Sequence, residues 1–241
     1  LATTAKRDGD HYVVNGSKMF ITSGMRADWY TVAVRTGGPG AAGVSLLGIK
    51  RDTHGFTRTE LKKMGWWASD TAELHFVDCR VPAGNLIGAE CQAFPLIMRN
   101  FNGERLTLAA SSCGAAQACL EDAVAWARER KTFGQPLIAH QVIRHKLVDM
   151  AERIEATRAL IDDLASRLDA GEQPVAQTAM AKNYAARTMQ FCADAAVQIL
   201  GGSGYMRGVR VERIYREVKV MMIGGGAEEV LKDLAARQLG F

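Results

Sequence analysis

The sequence lacks the features that mark membrane proteins, disulfide-rich scaffolds and nucleic-acid-binding proteins. No apolar run reaches the ~20 residues that a membrane-spanning helix needs. The five cysteines are odd in number and include no CxxC pair, which argues against a disulfide framework and a structural zinc site. The net charge of +4 is small for 241 residues, and no basic stripe with interleaved aromatics predicts contact with nucleic acid. We expect reduced, packed thiols.

Metal ligands and targeting signals are also scarce. His140 and His145 lie five residues apart, so they do not share a helix face as metal ligands would, and we expect no metal site. No signal peptide is visible, and the chain begins at Leu1 in strand-like sequence. We therefore expect an N-terminal segment to precede it. A bacterial cytoplasmic location is favoured, with the mitochondrial matrix left open.

Residues 1–90 have the short period of β-structure. Asn15-Gly16 lies between two strand-like runs and predicts a two-residue hairpin turn, because both residues tolerate positive φ. The Gly-rich stretch 37–43 predicts a further connection. We predict a mainly antiparallel β domain over residues 1–90. Its predicted strands cover residues 11–14, 17–22, 29–34, 44–49 and 73–77.

Residues 91–241 have the longer period of helices. Gly171 predicts the end of one long helix and Pro174 the start of the next, which runs to about Leu200. A final helix is expected over residues 227–239. The pattern predicts an α+β multidomain fold in which an up-down four-helix-type bundle follows the β domain. The heptad-like stripe that carries this prediction consists of Ile143, Leu147, Met150, Ile154, Thr157, Ile161, Leu164 and Leu168.

Glu104 stands out on the helix that follows Pro95. It falls on a stripe with Phe101 and Leu108, where a buried carboxylate would be costly unless paired or used. Burial would raise its pKa, as a general base working near neutral pH requires. From the pattern alone, the favoured reading is a carboxylate that reaches solvent or pairs with Arg105 or another arginine.

Two glycine runs and one basic turn leave alternatives open. Gly224–Gly226 precedes a helix, where backbone N–H groups approach an anion or a carbonyl, although no βαβ unit surrounds it. Gly201–Gly204 follows a helix and is typical of a C-cap. The stretch 129–134 either complements the helix dipole or holds a phosphate and a ring. The pair Trp66-Trp67 is compatible with a place in the core, in the wall of a ligand pocket or in a protein interface.

Several segments, in this order, resemble motifs of the acyl-CoA dehydrogenase family, and the resemblance covers essentially the whole chain. The family has an N-terminal helical domain, a middle β domain and a C-terminal helical bundle. The resemblance implies that this chain comprises the last two, without the first domain and its flavin-contacting TEPxxGSD segment. The matching segments are NGSKMFITSG at 15–24, MGWWASDT at 64–71, VPAGNLIG at 81–88, RERKTFG at 128–134 and VQILGGSGY at 197–205.

The resemblance implies FAD as the cofactor. Phe20, Ile21 and Thr22 would contact the isoalloxazine ring, with Phe20 in place of the usual Trp. A second group would hold the FAD of a neighbouring subunit, which implies a homodimer or a homotetramer. This group consists of Arg130, Phe133, Gln141, Gln198, Gly201 and Gly202.

The resemblance also implies the acyl-CoA contacts and the base. Ser69, Arg105 and Gly226 would touch the substrate. Many members carry their base in a YEGT(S/A)E segment, but here Gly225 occupies that position and would offer only its backbone N–H to the thioester carbonyl. A minority branch, which includes isovaleryl-CoA, long-chain and citronellyl-CoA-like enzymes, places the base in an ERL context. Residues 102–106, NGERL, are similar to it, so Glu104 is the implied base.

The implied activity is α,β-dehydrogenation of an acyl-CoA in fatty-acid, branched-chain or terpenoid acyl-CoA catabolism. Glu104 would remove the α-proton, the flavin would take a hydride, and an electron-transfer flavoprotein would accept the electrons. Gly225 clears space beside the reacting carbons, which favours a branched or long acyl chain. Two alternatives stay open: a flavin oxidase that reacts with oxygen, and a non-catalytic oligomerising homologue.

Overall fold

The computed structural model describes residues 1–241, which form two compact units, Leu1–Asn100 and Phe101–Phe241. The break falls inside the first long helix, whereas the change of sequence pattern falls earlier, at residues 90/91. No helix combines the length and the apolar character needed to cross a bilayer. The strands of the first unit are β1 (Thr4–Asp8), β2 (His11–Thr22), β3 (Trp29–Arg35), β4 (Val44–Lys50), β5 (Phe56–Glu60), β6 (Thr71–Pro82) and β7 (Leu86–Ile87).

These strands form one mixed sheet in the order β5-β6-β2-β1-β3-β4-β7, in which only β1 and β3 pair in parallel. The sheet is rolled, because Tyr30 on β3 meets Phe56 on the distant edge strand β5, with ring centroids 4.8 Å apart. Phe56 also stacks on Phe76 of β6 at 4.9 Å. The buried faces of the strands thus enclose a single apolar core. The predicted β domain is confirmed.

The predicted hairpin at Asn15-Gly16 is wrong, because β2 runs unbroken through both residues. They form a bulge against β6, where the Asn15 side chain donates to Asp78 Oδ1 (3.0 Å) and accepts from the Asp78 N–H (2.8 Å). Gly16 is required there because a Cβ would lie 2.8 Å from the Cα of Thr3. The β1–β2 turn is instead Gly9-Asp10, with Gly9 at a φ of 60°.

The second unit is helical, as predicted. Three long helices alternate in direction: Cys113 approaches Ile154 on the next helix, and the hydroxyls of Thr157 and Thr188 hydrogen-bond at 2.9 Å. The predicted stripe faces the interior, with Leu147, Met150, Ile154, Thr157 and Leu164 buried. The helices are α1 (Ala93–Glu129), α2 (Gln141–Asp169), α3 (Val175–Leu200), α4 (Arg210–Ile223) and α5 (Glu228–Leu239), with a small hairpin of β8 (Lys131–Thr132) and β9 (Gln135–Pro136) between α1 and α2.

Helix α4 is absent from the sequence prediction. Its buried residues Val211, Ile214, Val218 and Met221 recur at spacings of three and four, so the helical period was present. The segment was obscured by its β-branched residues and by the glycines that follow. The Arg210 guanidinium on α4 pairs with Asp122 on α1 at 2.5 Å, which ties the outer helix to the bundle.

Candidate functional site

The glycine loop, residues 224–226 between α4 and α5, is held from both sides by cationic side chains. From α1, Arg105 Nε donates to the Gly225 carbonyl at 3.1 Å. From α3, Lys182 Nζ donates to the carbonyls of Met222 at 3.0 Å and Gly226 at 2.9 Å. The structure thus brings Arg105, Gly225 and Gly226 together, three of the residues implied by the family resemblance.

Glycine is structurally required within this loop. Gly225 and Gly226 have φ values of 69° and 116°, which residues with side chains rarely adopt. A Cβ at Gly225 would lie 2.7 Å from Leu108 Cδ1 on α1, and one at Gly226 would lie 2.9 Å from Leu231 Cδ2 on α5. The absence of both side chains therefore lets the loop backbone lie directly against α1 and α5.

Arg105, rather than Glu104, is the buried charged residue where α1 enters the second unit. Its side chain is 7% exposed, donates to Asn102 Oδ1 at 3.0 Å and lies over the Phe101 ring at 5.8 Å. Burial lowers its pKa, and the neighbouring Glu104 carboxylate opposes that shift. Its implied contact with acyl-CoA stays a prediction, since two of its N–H groups are already engaged within the protein.

Glu104 reaches solvent, as the pattern alone favoured, because its side chain is exposed, and its carboxylate acts on the neighbouring Arg105. The buried face of α1 runs through Arg105, Ala109, Ser112 and Ala116, one position away from the predicted stripe. Since successive helical residues are about 100° apart, Glu104 lies at the border of that face. The carboxylate therefore needs no desolvation within this unit, and it is adjacent to the guanidinium that holds Gly225.

Helix α3 also fixes the start of α5. Asn183 Nδ2 donates to the Glu228 carbonyl at 3.1 Å, and Arg187 Nε donates to the Glu228 carboxylate at 2.9 Å. Lys232 pairs with the same carboxylate at 2.7 Å. The hydrogen bonds from Arg187 and Lys232 lower the pKa of Glu228 to about 2. A negative charge in the first turn also matches the helix dipole.

We expect Glu228→Gln to lower the free energy of unfolding by about 1–2 kcal/mol near pH 7, after allowance for solvent screening. The folded-state pKa of about 2 lies below the ordinary value of 4.5, so the stabilisation is present above pH 4.5 and is lost as the pH falls through 2. Urea denaturation of both proteins at a series of pH values measures the difference. A difference that stays constant between neutral and acid pH would contradict the assignment.

Arg130, Phe133 and Gln141 lie around the short hairpin that joins α1 to α2. Phe133 and Gly134 have φ values of 50° and 81°, the pair of positive values that a type I′ turn requires. Phe133 is 96% exposed, and its ring meets that of His140 edge-on at 6.1 Å. An aromatic residue at positive φ and in full contact with solvent is unfavourable on both counts, as is typical of residues kept for binding.

Gln198, Gly201 and Gly202 lie at the C-terminal end of α3. Gly201 has a φ of 60° and its N–H donates to the Gln198 carbonyl, so the predicted C-cap is present. No atom lies within 4 Å of a Cβ built at Gly201 or Gly202, which leaves their backbone open to a ligand. Gly204 has the opposite role, because its Cβ would lie 2.7 Å from the Val197 carbonyl.

Within the second unit, Arg105 and the glycine loop lie far from the group around Arg130. Because α1, α2 and α3 alternate in direction, the end of α1, the start of α2 and the end of α3 share one end of the bundle. The end of α1, Glu129, is 24 positions from Arg105, which is about 36 Å at ~1.5 Å per residue. Arg130 and Arg105 of one chain therefore cannot contact the same flavin ring.

In the first unit, Phe20, Ile21 and Thr22 end strand β2. Register shifts against β6 between Lys18 and Ile21 give Phe20 a φ of 61° and leave its ring 76% exposed. Ile21 and Thr22 line an open pocket of about 340 Å³ together with Lys18 and Trp29. Burial without an acidic partner lowers the pKa of Lys18 to about 8.

Ser69 lies beside the end of β2, in a turn that Asp70 organises. The Asp70 carboxylate accepts from the Met25 N–H at 2.7 Å and pairs with Arg26 at 3.0 Å, while the Asp70 carbonyl accepts from the Ser23 N–H. The hydrogen bond from Met25 lowers the pKa of Asp70. Ser69 lines an open pocket of about 610 Å³ whose other residues include Lys62, Lys63 and Trp67.

These side chains fit a flavin nucleotide in their chemistry. Phe20 and Phe133 each offer an exposed aromatic face on a backbone of positive φ. Arg130 offers an exposed guanidinium for a pyrophosphate, and the exposed amides of Gln141 and Gln198 offer donors beside the open glycines. Sequence reasoning missed Lys182 and Asp70. Lys182 was detectable as a charge among the small residues of α3, whereas Asp70 left no periodic signal.

Both parts of the chain match models of known protein families. Residues 93–240 match the family model described as acyl-CoA dehydrogenase, C-terminal domain, and residues 1–79 match acyl-CoA dehydrogenase, middle domain. The chain is 42% identical to isobutyryl-CoA dehydrogenase, mitochondrial, of Dictyostelium discoideum and 39% identical to cyclohexane-1-carbonyl-CoA dehydrogenase of Geobacter metallireducens. A crystal structure of a probable acyl-CoA dehydrogenase from Mycobacterium abscessus is 50% identical, with a TM-score of 0.98.

These alignments cover nearly all of this chain but only part of each relative. They span 99%, 99% and 100% of the chain, against 58%, 63% and 64% of the three relatives. The chain therefore spans less than two thirds of the proteins that it matches. Proteins of the matched family are FAD flavoproteins.

Proposed function

The chain belongs to the acyl-CoA dehydrogenase family, and from this membership we propose that it carries the base and the thioester site for FAD-dependent α,β-dehydrogenation of an acyl-CoA. The observation that supports this most directly is the hydrogen bond from Arg105 to the Gly225 carbonyl. It joins the turn that bears Glu104 to the loop whose N–H is proposed to bind the thioester.

The proposed chemistry needs two groups of this chain to act together. Glu104 removes the α-proton, and the Gly225 N–H donates to the thioester carbonyl as negative charge develops on it. A backbone donor fixed before the reaction stabilises that charge without reorganising. Gly225 itself has no proton-accepting group, so the base must come from elsewhere, and the adjacent turn of α1 supplies a carboxylate.

FAD, when bound, would supply the acceptor for the hydride that leaves the β-carbon. Phe20, Ile21 and Thr22 would hold the ring in one subunit. The group around Arg130 and Phe133 would hold the FAD of a neighbouring subunit, since about 36 Å of helix separates it from Arg105. On that separation we propose a homodimer or homotetramer. From the family membership we propose an electron-transfer flavoprotein as the acceptor, and we also propose a cytoplasmic or mitochondrial-matrix location.

For the substrate we propose an acyl-CoA that is branched at the α-carbon. Isobutyryl-CoA and cyclohexane-1-carbonyl-CoA, which name two of the relatives, both carry a substituent on that carbon. The expectation that Gly225 clears space for such a substrate is not supported, because Leu108 Cδ1 of α1 lies 2.7 Å from a Cβ built there. The branched substrate is therefore proposed from these relatives alone.

The test is an anaerobic titration of the full-length, FAD-loaded protein with isobutyryl-CoA, cyclohexane-1-carbonyl-CoA and a series of straight-chain acyl-CoAs. We expect the α-branched thioesters to bleach the flavin absorbance at lower concentrations than straight chains of equal carbon number. Bleaching by straight chains alone would refute the branched substrate and keep the reaction. A flavin that no acyl-CoA bleaches would refute the reaction itself.

A further inference from the structure

Lys182 is a buried cation that donates hydrogen bonds to the end of α4 and to the glycine loop that follows it. Its side chain is 1% exposed, and Nζ donates to the Met222 carbonyl at 3.0 Å and the Gly226 carbonyl at 2.9 Å. These two carbonyls bracket Gly224 and Gly225. One ammonium group thus fixes both ends of the segment that carries the Gly225 N–H.

A lysine at this position is costly, so its retention calls for a reason. Burial and the nearby Arg105 charge lower the pKa of Lys182 to about 8, while Glu228 acts in the opposite direction. An apolar side chain of similar volume would fill the same space without the cost of desolvating a charge. What it would lack are the two charge-assisted hydrogen bonds to backbone carbonyls.

Those hydrogen bonds determine where the N–H groups of the loop point. In a planar trans peptide the carbonyl and the following N–H point in opposite directions. Holding the Gly226 carbonyl therefore aims the Ala227 N–H away from Lys182, and Arg105 orients the Gly226 N–H in the same way through the Gly225 carbonyl. Gly225 lies between these fixed points, at a φ of 69°. Glycine can adopt many other backbone conformations as well, so the fixed points keep it in this one.

We propose that Lys182 is a positioning residue for the thioester site, which holds the Gly225 N–H in place by clamping the carbonyls of Met222 and Gly226. This inference rests on the proposed function, because it assigns the N–H to the thioester carbonyl. Lys182 touches neither substrate nor flavin in this scheme. It acts only through the loop.

The test compares Lys182→Met with the unaltered full-length holoenzyme. Methionine keeps the length of the side chain and removes its N–H donors. We expect kcat to fall about 10- to 100-fold, less than the loss that follows deletion of an oxyanion donor itself, with KM changed less than about 3-fold. The spectroscopic readout is the apparent pKa for enolate formation of bound acetoacetyl-CoA, which rises when the oxyanion donor is misplaced.

Lys232→Met is the matched control. Lys232 also lies near the loop, but its side chain is 59% exposed and pairs only with the Glu228 carboxylate. We expect it to leave kcat and the enolate pKa unchanged. Amide hydrogen exchange of residues 223–229 should accelerate in Lys182→Met and not in the control.

Three outcomes would overturn the inference: an unchanged enolate pKa in folded, FAD-loaded Lys182→Met, equal effects of the two variants, or unchanged exchange in the loop. If Lys182→Met does not fold, Lys182→Gln replaces it, because its shorter, uncharged amide removes the charge-assisted clamp on both carbonyls, and an unaltered enolate pKa there refutes the role. Failure of the proposed function is distinguishable, because the unaltered protein would then neither bleach with acyl-CoA nor shift the enolate pKa of acetoacetyl-CoA.

Discussion

Glu104→Gln is expected to lower kcat for acyl-CoA oxidation about 10²- to 10⁴-fold, the range that loss of a general base produces. Glutamine keeps the shape of the side chain and cannot accept the α-proton. Because Glu104 is exposed in this unit, its replacement should not change the free energy of unfolding by more than about 0.5 kcal/mol. FAD content and acyl-CoA binding should be retained, so the loss should appear in kcat with little change in KM.

Glu121→Gln is the matched control for this experiment. Glu121 is an exposed glutamate on the same helix, more than four turns further along. Its substitution removes one negative charge from α1 and should leave kcat unchanged. Glu104→Gln protein that retains normal turnover with bound FAD would disprove the base assignment, and equal losses in both variants would indicate a general effect of charge.

Gly225→Ala is expected to destabilise the protein by about 2–5 kcal/mol. A left-handed backbone costs a residue with a Cβ about 1–2 kcal/mol, and overpacking costs typically about 1–3 kcal/mol more. The added methyl would lie 2.7 Å from Leu108 Cδ1. Relief of that contact moves the loop away from α1, so kcat should fall about 10²- to 10³-fold, as when an oxyanion donor is lost.

Gly114→Ala separates these effects from the general consequences of replacing glycine. Gly114 lies inside α1, where no atom comes within 4 Å of an added Cβ. Alanine should therefore stabilise the protein by about 0.5–1 kcal/mol through its higher helix propensity. Urea denaturation and steady-state kinetics of both variants measure the contrast. A Gly225→Ala protein as stable and as active as the unaltered one would show that the loop tolerates displacement.

The sequence predicts the architecture well because most of it follows from the spacing at which apolar residues recur. The stripe from Ile143 to Leu168 and the helix stops at Gly171 and Leu200 have counterparts in α2 and α3. The Asn15-Gly16 hairpin failed because local turn preference also suits a β-bulge, and only the pairing with Asp78 decides between the two. Non-local contacts of this kind leave no trace in a local pattern.

The candidate site was predicted only in part, again because non-local contacts leave no trace in a local pattern. A charge on an apolar stripe drew attention to Glu104, but the helix face that is buried passes through Arg105 one position later. A rotation of that size lies within the uncertainty of a stripe drawn from only a few apolar residues. Lys182 is visible in the sequence only as a charge among the small residues of α3. Its partners are backbone carbonyls on a segment 40 residues away, and no side-chain pattern indicates them.

The length of α1 has a consequence for how activity depends on protein concentration. If the end that bears Arg130 serves a flavin in another subunit, a lone subunit holds its cofactor with only part of the proposed contacts. Dissociation into subunits and release of FAD then become linked equilibria, and each shifts the other by mass action. Dilution should weaken the retention of FAD, and added FAD should favour assembly.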